Sequence, residues 1–143
     1  MKAIRFHDYG GPEALTNEEV EAPNLGPDES LVEVRASSVN PSDLANVKGA
    51  FAASTPRVPG RDYAGVVVDG SPDWIGKEVW GASPGLGVAV DGTHAEHVVV
   101  KTASLAGKPA ELSMEEAATF GIPISRHGVP SSTPARSKLV RRF

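Results

Sequence analysis

The chain has no cysteine among its 143 residues. That excludes a disulfide framework and any thiolate metal site. No apolar run approaches the ~20 residues a membrane span requires. The N-terminus, Met1-Lys2-Ala3-Ile4-Arg5-Phe6, alternates like a strand and lacks the apolar centre of a secretory signal. No internal repeat is visible, and no acidic residue lies beyond Pro123. These absences point to a cytoplasmic protein with no membrane partner.

What is present is enough for one domain with a real core: 40% of the residues are hydrophobic. The net charge of −4 is unevenly placed. All 18 Asp and Glu precede Ile124, whereas the tail from Ile124 to Phe143 carries Arg126, Arg136, Lys138, Arg141 and Arg142. A basic tail can serve nucleic acid or an anionic surface. A solvated, irregular end is the simpler reading, and no nucleic-acid partner is expected.

Fifteen Gly and 12 Pro punctuate short β-like runs, the pattern of a small barrel rather than a helical bundle. Met1–Tyr9 reads as a strand turned by Gly10-Gly11-Pro12, with Leu15–Val20 as its partner. Leu31–Val39 alternates, placing Val32, Val34 and Ala36 on one face. Asn40-Pro41-Ser42-Asp43 opens a short helix, with Asn40 as N-cap, Pro41 at N1 and Asp43 completing a box-like cap. Tyr63–Val68 reads as a buried strand, Glu78–Trp80 as a short one and Thr93–Val100 as another. Ser113-Met114-Glu115-Glu116 is a capping box for a helix through Phe120, closed by Gly121. In Val58–Val68, Pro59-Gly60 forms a turn and Gly65 admits a second backbone closely.

Three motifs fail on mechanics. Gly81-Ala82-Ser83-Pro84-Gly85 matches a nucleophile elbow in letters, but Pro84 has no N–H for an oxyanion hole. His94 and His97 are three apart on an expected strand and so face opposite ways, as surface polar residues rather than metal partners. Gly85-Leu86-Gly87 begins a dinucleotide fingerprint, but Val90 stands at the third glycine and no βαβ context surrounds it.

Seven segments, in order and spacing, carry a family likeness. They are Met1–Ile4, Gly10–Glu13, Val39–Asp43, Val58–Val67, Ile75–Val79, Gly92–Val100 and Leu112–Ala118. Over Met1–Pro123 the chain resembles the medium-chain dehydrogenase/reductase superfamily, in its zinc-free quinone oxidoreductase (zeta-crystallin-like) branch. The resemblance implies a mainly β fold with short helices, a GroES-like partly open β-barrel, with the Rossmann domain that binds NADPH absent from this chain. It implies a small enone or quinone substrate. Catalytic zinc is not expected: there is no Cys, and Gly60-Arg61-Asp62 replaces the Gly-His-Glu of the zinc-dependent branch. Asn40 and Asp43 match the family's active-site loop, and Phe51 and Arg61 are further substrate- or cofactor-facing candidates. Ala45 and Phe51 stand where relatives often carry Tyr.

The likeness stops at Pro123. Reading each third codon base with the next two bases, Ile124–Ser131 can encode Leu-Thr-Ala-Trp-Arg-Ala-Leu, and Ser131–Phe143 can encode the linker and first Rossmann strand. Residues 124–143 are therefore expected to be a frameshifted, irregular basic tail. The chain is expected to be inactive alone, not to bind NADPH, and to self-associate through exposed apolar surface. The alternative is a stand-alone GroES-like binding module with a basic tail.

Overall fold

The computed structural model describes residues 1–83, 85–121 and 140–142. Strand β1 (Lys2–Phe6) pairs antiparallel with β2 (Leu15–Glu19) in a hairpin sheet of its own. The main sheet is built from β3 (Glu29–Ser38), β4 (Asp62–Asp69), β5 (Glu78–Ala82), β6 (His97–Lys101) and β7 (Ala106–Gly107), in the order β6-β3-β4-β5-β7. A last strand, β8 (Val140–Arg142), pairs with the end of β3, setting Ser38 opposite Val140. Two short α-helices, α1 (Pro41–Val47) and α2 (Met114–Ala117), and two single 3-10 turns, Pro12–Ala14 and Thr102–Ser104, complete the described elements. Every ladder between these strands is antiparallel, and the sheets do not close on each other. The architecture is mainly β and partly open, as expected.

Alternation drives the core. On β3, Val32, Val34 and Ala36 are buried, whereas Arg35 is exposed. Val32 and Val34 pack with Tyr63, Val67, Val79, Leu86, Val98 and Val100 in the main apolar cluster. Gly65 pairs with Val34. A Cβ there would run into the Glu33 carbonyl and stand 2.9 Å from Val32 Cγ1, so only glycine fits this approach.

The alternation then breaks. The β3–β4 register shifts between Val34 and Ala36, and beyond the shift Ser37 and Ser38 are both buried. A bulge re-aims the strand by one residue, which turns consecutive serines into the protein interior next to the start of α1. The hairpin is tied to the same region from the other side. Ile4 N–H donates to the His94 carbonyl at 2.8 Å, and Phe6 and Arg57 exchange backbone bonds at 3.0 Å each way.

Two expectations need correction. The strand expected from Thr93 starts only at His97. Gly92, Thr93 and His94 instead bond back onto Val58, Gly60 and Pro59 through their N–H groups, at 2.8, 3.2 and 3.0 Å. That docking buries Thr93 and His94, so His94 is an interior residue and not a strand-surface one. Helix α2 has its full capping box, Glu116 N–H to Ser113 Oγ at 3.1 Å and Ser113 N–H to Glu116 Oε2 at 2.9 Å. It stops at Ala117, short of Phe120, because Thr119 takes the Glu116 carbonyl with both its N–H and its hydroxyl. Pro84 of the elbow-like motif, and the tail apart from Val140–Arg142, lie outside the described residues.

Candidate functional site

The four candidate residues lie on three segments: Asn40 and Asp43 at the head of α1, Phe51 after it, and Arg61 before β4. The structure links all four. Asn40 N–H donates to Asp43 Oδ2 at 2.7 Å, within the expected capping box. Arg61 Nε stands 4.0 Å from Asp43 Oδ1. The Arg61 guanidinium lies 4.8 Å from the centre of the Phe51 ring, a cation–π contact.

Behind them lies a buried polar network that the sequence reading did not assemble. The Asn40 side-chain amide donates to Asp62 Oδ2 and, at 3.2 Å, to Ser38 Oγ. The Ser38 hydroxyl donates to the same Asp62 oxygen at 2.7 Å. Ser37 Oγ–H reaches the Asp62 carbonyl at 2.8 Å and shares a 2.8 Å bond with Thr93 Oγ1. His94 Nε2–H donates to the Ser38 carbonyl at 3.1 Å, which fixes its tautomer at that nitrogen. Asp62 is fully buried, and these donors hold its carboxylate. The signal that could have found this network was Ser37-Ser38 at the end of an alternating strand, two polar residues where one was due.

Electrostatics single out Asp43. Burial pushes its pKa above the ordinary carboxylate value, against the lowering pull of the Asn40 N–H, His94 and Arg61; Asp62 adds to the rise. Asp43 and His94 also face a cavity of about 400 Å³ walled by apolar side chains including Ile4, Leu15, Leu44 and Val47. Such a volume suits a small organic ligand. A larger cleft, about 570 Å³, lies between the hairpin and β6 and includes Glu19, Asp91 and His97. None of the four candidates lines it, and its Glu19 and Asp91 are held in ion pairs with the N-terminus and Arg57. Of the four candidates only Asp43 lines the smaller cavity.

Residues 26–110 match the alcohol dehydrogenase GroES-like domain. The chain belongs to this family. This GroES-like chain is 39% identical to the zinc-type alcohol dehydrogenase-like protein C337.11 of Schizosaccharomyces pombe, over 87% of itself and 40% of that protein. It is 33% identical to the chloroplastic NADPH-dependent alkenal/one oxidoreductase of Arabidopsis thaliana, over 87% of itself and 35% of the relative. Among solved structures it matches the quinone oxidoreductase from Coxiella burnetii with a TM-score of 0.76 and 27% identity, covering 85% of this chain and 41% of that one. The relatives include quinone and enone oxidoreductases of the medium-chain superfamily, and the GroES-like chain spans about two-fifths of their length, at the N-terminal end.

Among the described residues no three His, Cys, Asp or Glu side chains converge as a metal site. No described helix is long and apolar enough to cross a membrane. A dinucleotide needs a strand, a glycine loop and a helix N-terminus for its pyrophosphate. Between Gly85 and Gly92 the glycine-rich loop instead folds into turns and leads to the buried Thr93-His94 segment, so this loop does not fit that group.

Proposed function

We propose that this chain is the substrate-side, N-terminal domain of an NADPH-dependent quinone or enone oxidoreductase, and that it does not turn over alone. The observation that carries this is the linked set Asn40–Asp43–Arg61–Phe51, whose Asp43 lines a small apolar cavity, in a GroES-like domain covering two-fifths of its oxidoreductase relatives. A conjugated carbonyl is flat and mostly apolar, with one acceptor end. The apolar walls suit its body, and the polar corner can orient its oxygen. In this reading the Ser38–Asp62–Asn40 bonds keep the Asn40 amide from rotating, and Asp43 holds Arg61 against Phe51. Zinc has no role; the support is the permanent cation of Arg61 beside Asp43, which repels a metal ion.

Residues 124–143 are then out-of-frame translation, from one nucleotide lost near the Pro123 and Ile124 codons. Restoring that nucleotide and expressing the longer protein tests both statements. The expected outcome is NADPH oxidation driven by a small quinone or enone. The chain as it stands should give no turnover, and micromolar NADPH should not quench Trp74 or Trp80 fluorescence. An open frame without a dinucleotide-binding unit, or turnover by the 143-residue chain, would sink the reading.

One observation favours a second reading, a binding module with a functional basic tail. Strand β8 lies inside that tail and pairs with β3 over Ala36–Ser38. Removing residues 124–143 separates the two: a dedicated module loses stability and partner binding, and a frameshift relic loses neither. A cytoplasmic location belongs to the same proposal; imaging of the tagged protein checks it.

A further inference from the structure

Among the described residues, two buried side-chain nitrogens have no hydrogen-bond partner, Arg5 Nε and His97 Nδ1. Both residues line one cleft, the larger one of about 570 Å³ between the hairpin and β6. The Arg5 guanidinium makes no hydrogen bond to any described residue. Its ion pair, Nη1 to Glu18 Oε2 at 3.7 Å, is too long for one. The other oxygen of Glu18 already meets His7 and Thr16 at 2.8 Å each. A guanidinium that bonds nothing, with one nitrogen shut away from water, is short of an oxygen acceptor. No bond fixes it, so its long stem is free to turn it into the cleft.

Strand pairing sets the spacing of the two residues. Ala3 bridges Ala95 in the antiparallel sense, so Arg5 lies two residues to one side of that bridge and His97 two to the other. Four strand steps offset them by about 13 Å along the strands. The wall between them is apolar: Val58 and Ala95 are buried there, with Val20 packed against them. We propose that this cleft binds an elongated organic carboxylate. Arg5 takes the carboxylate, Val20, Val58 and Ala95 carry an aliphatic body, and His97 Nδ1 meets a hydroxyl at the far end. A hydroxyl both donates and accepts, so it suits either tautomer of the ring. The site is separate from the Asn40–Asp43–Arg61–Phe51 set and does not rest on the quinone or enone reading.

The acidic residues of the cleft leave room for an anion at Arg5, because three of the four already have a cation. Glu19 pairs with the Met1 ammonium at 3.5 Å, Asp91 with Arg57 at 3.2 Å and Glu29 with Lys101 at 2.8 Å. Asp91 also takes the Val58 N–H at 3.0 Å. The fourth, Glu21, is exposed, where water and salt screen it. Arg5 is the cation of this wall whose acceptor is missing.

The test uses the 143-residue chain at neutral pH and three probes of one length, octanoate, octanamide and 8-hydroxyoctanoate, followed by isothermal titration calorimetry. Octanoate should bind about tenfold more tightly than the neutral amide. Arg5→Gln should abolish that preference, and Arg5→Lys, which keeps the charge but not the fork, should retain part of it. Arg35→Gln, at an exposed arginine outside the cleft, should leave it unchanged. The hydroxy acid should bind about threefold more tightly than octanoate, a gain that His97→Phe removes. Equal binding of octanoate and octanamide, an unchanged preference in Arg5→Gln, an equal loss in Arg35→Gln, or no saturable binding overturns the proposal and leaves the substrate-domain reading standing. A hydroxy-acid gain that is absent, or that survives His97→Phe, overturns the contact at His97.

Discussion

Two buried regions of this domain are made by opposite chemistry. The centre of the main sheet is apolar and repetitive, with Val32, Val34, Val67, Val79, Val98 and Val100 closing on one another across four strands. The corner where β3 meets α1 is as deeply buried, yet it is filled by Ser37, Ser38, Asn40, Asp43, Asp62, Thr93 and His94. The first region is held by area and fit, so its tolerance is set by volume. The second is held by bonds between groups that cannot be left alone, so its tolerance is set by partners. The bulge after Val34 divides them.

The sharpest way to break the apolar half is steric. Gly65→Val should cost about 4 kcal/mol or prevent folding, because the new side chain meets the Glu33 carbonyl and Val32; urea unfolding followed by far-UV circular dichroism checks it. In the polar half, Asp62→Ala should cost about 3 kcal/mol by stranding the Ser38 and Asn40 donors. Asp62→Asn should cost less, since an oxygen remains to accept one of them. Equal losses in the two variants would show that the carboxylate charge, not volume or one remaining acceptor, governs the corner. Outside both regions, Ser113→Ala should cost about 1 kcal/mol by opening the α2 box, visible as a small shift of the same unfolding curve.

The smallest effect is a slope with pH. Folding raises the Asp43 pKa above its ordinary 3.8, so the folded state binds this proton more tightly than the unfolded chain does. The stabilisation is complete below the ordinary value and is lost as pH rises through the raised one. Asp43→Asn should flatten that part of the stability profile in a urea series run from acid to neutral pH. A profile of unchanged shape would place the charge of Asp43 outside the folding balance.

Much of this was readable along the chain. The Asn40-Pro41-Ser42-Asp43 opening of α1 and the Ser113–Glu116 box are local devices, in which a side chain and its partner lie three residues apart. Alternation in β3 and the close approach at Gly65 are nearly as local. The four candidate residues could be named, but not their linkage beyond the Asn40–Asp43 cap. Nothing in the spacing of Asp43, Phe51 and Arg61 says that one guanidinium would touch both the carboxylate and the ring.

His94 marks the limit. In the sequence it is one of two histidines on a strand-like run, and period-two reasoning sends it outward. The strand begins only at His97, and before it the chain bonds to Val58, Pro59 and Gly60, some thirty residues earlier. By itself the sequence determined the kind of elements, their caps and the apolar face, because those depend on neighbours along the chain. The tertiary structure alone decided which polar residues went inside. A buried hydroxyl, amide or carboxylate is stable only beside partners brought from distant segments, and no local pattern encodes that meeting.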